Sequence, residues 1–519
     1  WYGGERHTEH RGPTFKGEYR MSMSFRGSVV FAGLVVVLGV AQVAFAGGAV
    51  TQSQDPAASS SETSKATKSQ TKSKKTKKKK AANNSFIVLG NYAPQTVALP
   101  SASSSITPMA AEPIVTPRRV VAAEKTPSIH ILPTDDPPAS VATAGQLVIS
   151  EFRVRGPNGA NDEFIEISNV SGADHTVAGG GTGYAVAASN GVARCVLPNG
   201  TVIPNRGHYL CVNSIGYSLA SYPAGNGTTA TGDATYTTDI PDNAGIAIFN
   251  TSLPVDFTLA NRIDAVGSTS EANTLYKEGT GYPALVPFSI DYSFYRDNCG
   301  KGGSITTFGA CPTGGLLKDT NNNAADFVFV DTNGTSAGAG QRLGAPGPEN
   351  LSSPIERNAS FAVNLLDVCV APASPPNRVR DFTSAPAQNS TFGTLDVRRT
   401  IVNNTGGNVT RLRFRVVDLT TFPAPSGIAD LRPRTSTTVV VTVDRPPCGS
   451  GTSNVTVQGT TLEQPPSQPN GGGFGSSMSA GTVTLATPIA NGASVDVRFL
   501  LGIQQTGSFK FFFNVEALP

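Results

Sequence analysis

The sequence predicts an all-β fold: two consecutive β-sandwich domains preceded by a disordered N-terminal region. Three observations carry this. Gly and Pro are abundant (55 and 37 of 519 residues), Met is nearly absent (4) and charged residues make up only 15%, so turn formers and β-branched residues outweigh helix formers. Short apolar runs alternate with polar residues between Gly, Asn and Pro turns from residue 146 onward. Between residues 47 and 145 the chain offers only one short apolar patch, Phe86 to Leu89, too little for a folded core.

The N-terminal region divides by composition. Residues 1–20 read as upstream sequence, because Met21 and Met23 stand directly before an export signal: Arg26, the apolar run Val29 to Phe45, and the small-x-small exit Ala44-Phe45-Ala46. Residues 21–46 are therefore expected to be a cleavable signal peptide, giving a secreted or cell-envelope protein with no transmembrane segment in the mature chain. Residues 47–145 form a linker, first Lys-, Ser- and Thr-rich, then Pro-rich. Its nine lysines between Lys65 and Lys80 suit contact with an anionic envelope polymer, or serve as a solvated spacer.

Net charge follows the same divisions: +2 over 1–46, +7 over 47–84, −1 over 85–145, −8 over 146–350 and +3 over 351–519. A basic tail thus precedes an acidic domain.

In the domain at 146–350, Val148, Ser150, Phe152 and Val154 are expected on one side of the first strand. Ile149, Glu151, Arg153 and Arg155 are expected on the other. A second strand follows at Glu163 to Ser168. Further strands are predicted near 185–187, 193–197, 208–212, 245–249, 262–266, 289–295 and 327–330. The domain at 355–519 is expected to contain a hairpin, Gly393 to Val402 with Val409 to Val417 across NNTGG. In it Leu412, Phe414 and Val416 face the core, while Arg411, Arg413 and Arg415 face out. Later strands are predicted at 437–443, 494–501 and 508–515, with Phe509, Phe511, Phe513 and Val515 on an apolar face. The Gly-rich stretch 464–480 reads as a mobile loop.

Six cysteines in an exported chain point to disulfides, with the local pairs Cys195–Cys211, Cys299–Cys311 and Cys369–Cys448 among fifteen possible arrangements. The absence of CxxC and the scarcity of His weigh against zinc.

The segment QLVISEFRVRGPNGANDEFIEISN (146–169) resembles the opening of the lamin tail domain family. GTVIPNRGHYLCVN (200–213), RIDAVG (262–267), DTNNNAADFVFV (319–330) and LGAPGPENL (343–351) resemble, in order, its hairpin, central strand, closing strand and exit in exported bacterial members. The resemblance spans nearly all of 146–350 and implies an immunoglobulin-like sandwich with an interaction role. Long insertions at 213–243 and 296–318 depart from compact members. A charge of −8 opposes the DNA binding known among nuclear relatives. The 355–519 region is only generically immunoglobulin-like.

Candidate chemistry is sparse. Asp319, Asn321, Asn323 and Asp326 present alternating oxygen side chains that suit calcium; the alternative is that they hydrogen-bond their own backbone to shape the loop. Glu151, Glu163 and Glu166 offer carboxylates for acid–base work, set against a fold-stabilising role that accepts from loop amides or pairs with Arg153 or Arg155. No GxSxG nucleophile motif occurs, and His175 and His208 sit in ordinary turn and strand contexts. The glycine clusters at 179–183 and 471–475 lack the Lys-Ser/Thr of a phosphate loop.

The expected function is a non-enzymatic exported interaction or structural protein that binds a protein or polysaccharide. The rival is a calcium-dependent hydrolase, or the accessory binding module of one.

Overall fold

The computed structural model describes residues 144–223, 229–285, 290–297, 317–333, 342–421, 429–444, 448–509 and 511–519. The upstream segment, the export signal, the lysine-rich tail, the linker up to residue 143, Cys299 and Cys311 lie outside them. The described chain is all-β, its helical content confined to single short turns. Among the described residues no helix is long and apolar enough to cross a membrane.

Four main sheets form two sandwiches. In the first, a four-stranded outer sheet orders Arg262–Val266, Ile246–Phe249, Gly183–Ala188 and Ala193–Pro198. It packs on a seven-stranded inner sheet: Arg342–Leu343, Phe327–Asp331, Tyr292–Arg296, Leu147–Arg153, Phe164–Asn169, His208–Asn213 and Ala234–Tyr236. Alternating apolar side chains from both sheets meet in one core, with Phe152, Ile165, Phe294 and Phe329 opposite Val186, Leu197, Ile248 and Ile263.

The second sandwich pairs a five-stranded inner sheet with a seven-stranded outer sheet. The inner sheet orders Ile355–Glu356, Phe511–Leu518, Arg411–Leu419, Ser477–Ser479 and Thr461–Leu462. The outer sheet orders Phe361–Leu365, Thr394–Asn403, Ser494–Gln505, Ser453–Gly459 and Val439–Val443, with Arg378–Asp381 also on Thr394–Asn403 and Asp430–Arg434 also on Ser494–Gln505. Phe414, Phe499, Phe511 and Phe513 form its aromatic centre, Phe414 edge-on to Phe499 with centroids 4.9 Å apart.

Every residue of Leu147–Arg153 and of Phe164–Asn169 is buried, which a sheet with one wet face does not produce. The reason lies on the other side of the first inner sheet. Part of it is covered by the 213–243 insertion, through Leu219, Tyr222 and Ala230 packed on Phe164, Leu210 and Val212. The second sandwich covers another part, where Phe474 packs on Val328 and Val330.

Four expectations are corrected. The first strand does not alternate regularly: the register shifts between Ile149 and Glu151, so Leu147, Ile149, Phe152 and Val154 share the core face. A β-bulge there inserts one residue and reverses the alternation upstream of it. Second, Thr394–Asn403 and Arg411–Leu419 are not a hairpin. They pair with Ser494–Gln505 and Phe511–Leu518 respectively, in different sheets. The NNTGG turn therefore carries the chain across the sandwich, with Asn403 accepting from Thr405 N at 2.9 Å and donating to Gly407 O at 2.8 Å.

Third, Arg413 and Arg415 point away from their own core yet are buried, at 1% and 7% exposure, because another sheet faces them. Fourth, residues 464–480 are not a free loop. Residues 471–478 are buried, Phe474 is hydrogen-bonded to the chain on both sides of Gly344, and Ser477–Ser479 is a strand. Gly475, at φ +72°, is required there because a Cβ would collide with the Tyr295 ring.

Two of the expected disulfides are present. Cys195–Cys211 ties the outer to the inner sheet of the first sandwich. Cys369–Cys448 closes a 79-residue separation in the second.

Candidate functional site

The densest set of ionisable side chains lies between the two inner sheets. Strand alternation puts Glu151, Glu166 and His208 on the face of the first inner sheet turned away from its core. The same rule puts Arg413, Arg415 and Glu516 on the matching face of the second. Glu349, on the segment that leaves the first sandwich, enters between them.

The pairing is dense. The two oxygens of Glu516 accept from Arg413 Nε at 2.7 Å and Arg415 Nε at 2.8 Å. Glu349 pairs with Arg413, with Arg415 at 3.1 Å and with His208 Nε2 at 3.1 Å. His208 Nδ1 lies 3.0 Å from Glu166 Oε1, which also accepts from Ser150 Oγ at 2.5 Å. Glu166 Oε2 accepts from Glu349 N at 2.7 Å, and Glu151 Oε1 from Gly347 N at 3.0 Å. Arg415 Nη1 reaches Tyr295 Oη at 3.2 Å. Gly347 lets the strap pass: a Cβ there would strike the Arg415 guanidinium.

The electrostatics follow from burial and pairing. Burial opposes a charge on His208, but Glu349 and Glu166 on either side overcome it and raise its pKa to about 9. Burial likewise resists charging Glu166, yet His208, Ser150 and Arg415 hold it below the ordinary carboxylate range. Glu151, buried beside Glu166, is pushed up to about 8. The network therefore sets protonated His208, Arg413 and Arg415 against Glu166, Glu349, Glu516 and Glu463, the last 3.5 Å from Arg413, with Glu151 carrying a proton at neutral pH.

The cavity in this network measures about 100 Å³, well under the roughly 300–1,000 Å³ of ordinary ligand pockets. Sequence reasoning did not bring these residues together. The signal was the repeated Arg at 411, 413 and 415 on a strand, read as a solvated face.

The other candidates are placed as follows. Glu163 accepts from Ile240 N at 2.6 Å and Asn213 Nδ2 at 2.8 Å, and burial raises it to about 8. Arg153 pairs with Asp162 and with Asp291 at 3.3 Å, and Arg155 with Asp242 at 2.9 Å. His175 is buried 3.1 Å from Tyr184 Oη, and burial lowers its pKa.

In the acidic loop, Asp326 accepts from Thr320 N at 2.9 Å, Thr320 Oγ1 at 2.7 Å and Asn322 N at 3.2 Å. Asn323 accepts from Gly267 N at 2.9 Å and Glu278 N at 3.0 Å and donates to Ala265 O at 2.8 Å. Asn321 takes the left-handed conformation, φ 54°. The side chains of Asp326 and Asn323 thus hold backbone. Asp319 Oδ1 accepts from Asn321 N at 3.3 Å, and Asp319 also joins Asp264 and Glu278, with ligand-type oxygens within 4.8 Å of one another. Arg296 adjoins that group, 2.6 Å from Asp264 and 3.4 Å from Asp319.

Comparison with protein-family models, with curated proteins and with solved structures finds no match for this chain.

Proposed function

We propose that this chain is a non-enzymatic exported or cell-surface interaction protein, lamin-tail-like over 146–350, whose loops bind a protein or polysaccharide partner. The observation that carries this reading is the use made of its acid–base groups. Glu151, Glu166, His208 and Glu349 are paired with arginines, with backbone or with one another between two sheets, around a cavity too small for a polymer. General acid–base catalysis requires such groups within hydrogen-bond reach of a substrate.

The loops supply contact surface of the kind binding uses. Phe382 is 79% exposed, with the Arg380 guanidinium stacked 4.4 Å above its ring, and Phe392 on the same loop is 47% exposed. Exposed aromatic and Arg side chains are the usual anchors of interfaces. The lysines between Lys65 and Lys80 would add a salt-sensitive tether to anionic envelope polymer.

The test is a panel of envelope polysaccharides and proteins presented to the full chain, with binding and product release measured together. Saturable binding without turnover is expected, weakened at least about tenfold by Phe382→Ala with Phe392→Ala, a loss of about 1.4 kcal/mol. Turnover of any panel member would overturn this reading, and turnover that is lost on removal of calcium would favour the rival, a calcium-dependent hydrolase. Retention on anionic polymer that survives deletion of 65–80 would remove the tether.

A further inference from the structure

We infer that the first sandwich binds one hard divalent cation, calcium in preference to magnesium, through Asp264, Glu278 and Asp319. These residues are far apart in sequence. Asp264 lies on the outer-sheet strand Arg262–Val266, Glu278 follows the short turn Thr274–Tyr276, and Asp319 precedes the inner-sheet strand Phe327–Asp331. The fold brings one oxygen of each within 4.8 Å of the others. Calcium–oxygen bonds of about 2.3–2.6 Å let a single ion touch three oxygens up to about 4.5 Å apart, so a small side-chain adjustment suffices to close the site.

Unsatisfied polarity within this group calls for a ligand. Asp264 is 1% exposed: its Oδ2 accepts from Ile149 N and Arg296 Nη2, both at 2.6 Å, while its Oδ1 is buried without a hydrogen-bond partner. Glu278 is 6% exposed: its Oε1 accepts from Arg262 Nη2 at 3.2 Å, while its Oε2 is likewise buried and unpartnered. Buried carboxylate oxygens without partners are costly.

One divalent ion supplies a partner for both orphaned oxygens.

The donor set fixes the kind of ion. It is all oxygen, with no His or Cys in the group, which disfavours zinc. Carboxylates from three unconnected segments, each already holding an arginine, do not form the near-regular octahedron that magnesium demands. A surface cleft lined by Leu259, Arg262, Lys277 and Gly279 reaches Glu278 and gives the ion a way in. Asn323 holds the site's frame, bonding the backbone of Gly267 and Glu278 from the segment that follows Asp319.

The experiment is equilibrium dialysis of the chelator-stripped full chain against radioactive calcium, with magnesium as competitor, and thermal unfolding in parallel. Uptake of one calcium per chain is expected, with a rise in midpoint of about 3 °C or more at saturating ion. Glu278→Gln and Asp319→Asn should each weaken uptake at least tenfold. Asp256→Asn, a carboxylate outside this group, should bind as the wild type does. No uptake by the folded wild type overturns the inference, and so does uptake left unchanged in both carboxylate variants. Circular dichroism of each variant verifies its fold; should a variant not fold, the wild-type result decides.

Discussion

His208 shows how a single side chain is set by its surroundings. Its pKa is raised to about 9 from an ordinary 6.5, so its contribution to stability is full below about pH 6.5 and is lost as pH rises through 9. Glu151, held at about 8, acts in the same direction: the folded chain keeps a proton that the unfolded chain releases above about 4.5. Glu166 is depressed, so its contribution holds above about 4.5 and is lost as pH falls through its lowered value. Urea unfolding should therefore give greater stability at pH 5.5 than at pH 9, by about 2 kcal/mol or more. His208→Gln should flatten the decline between pH 6.5 and 9. A wild-type profile that rises toward pH 9 would refute this assignment.

Arg415 is the other decisive residue, because Glu349 and Glu516 both depend on it. Arg415→Met leaves buried carboxylates partly unpaired and should cost about 3–5 kcal/mol in denaturant unfolding. A loss under 1 kcal/mol would mean that these carboxylates are satisfied without it.

Among the elements, many of the strands were legible in the sequence, while Phe361–Leu365, Arg378–Asp381, Asp430–Arg434 and Ser453–Gly459 were not. Apolar alternation located Arg262–Val266 to the residue and most others to within a few residues, since a half-buried strand must alternate. What alternation does not encode is the partner of each strand. The pattern of Arg411–Leu419 is the same whether it pairs with its sequence neighbour or crosses to the opposite sheet, so the expected hairpin was a crossing. The bulge before Glu151 escaped for a related reason: one extra residue reverses the faces and leaves no mark in composition. The interface network was illegible because arginines on an outward face look solvated until a second sheet covers them. In the acidic loop only Asp319 of the four expected oxygen donors meets other carboxylates, and its companions come from distant segments.

The Cys195–Cys211 bond is the element most open to a quantitative test. It joins the two sheets of one sandwich across a separation of 16 residues, for which chain entropy gives about 3 kcal/mol. Replacing both cysteines by alanine should lower stability by about that amount in urea without changing circular dichroism. No loss would show that the sheets are held by their core alone.

In the whole molecule, two sandwiches are joined by inner sheets whose charged faces complete each other. The acidic first sandwich, −8 over 146–350, meets a second of +3, and the buried pairs Arg413–Glu349 and Arg415–Glu349 draw on that complementarity. Differential scanning calorimetry of the full chain near pH 6 tests this central claim most directly. The account predicts one cooperative transition for both sandwiches, which Arg415→Met lowers or splits. Two separate transitions in the wild type, unmoved by that substitution, would contradict it.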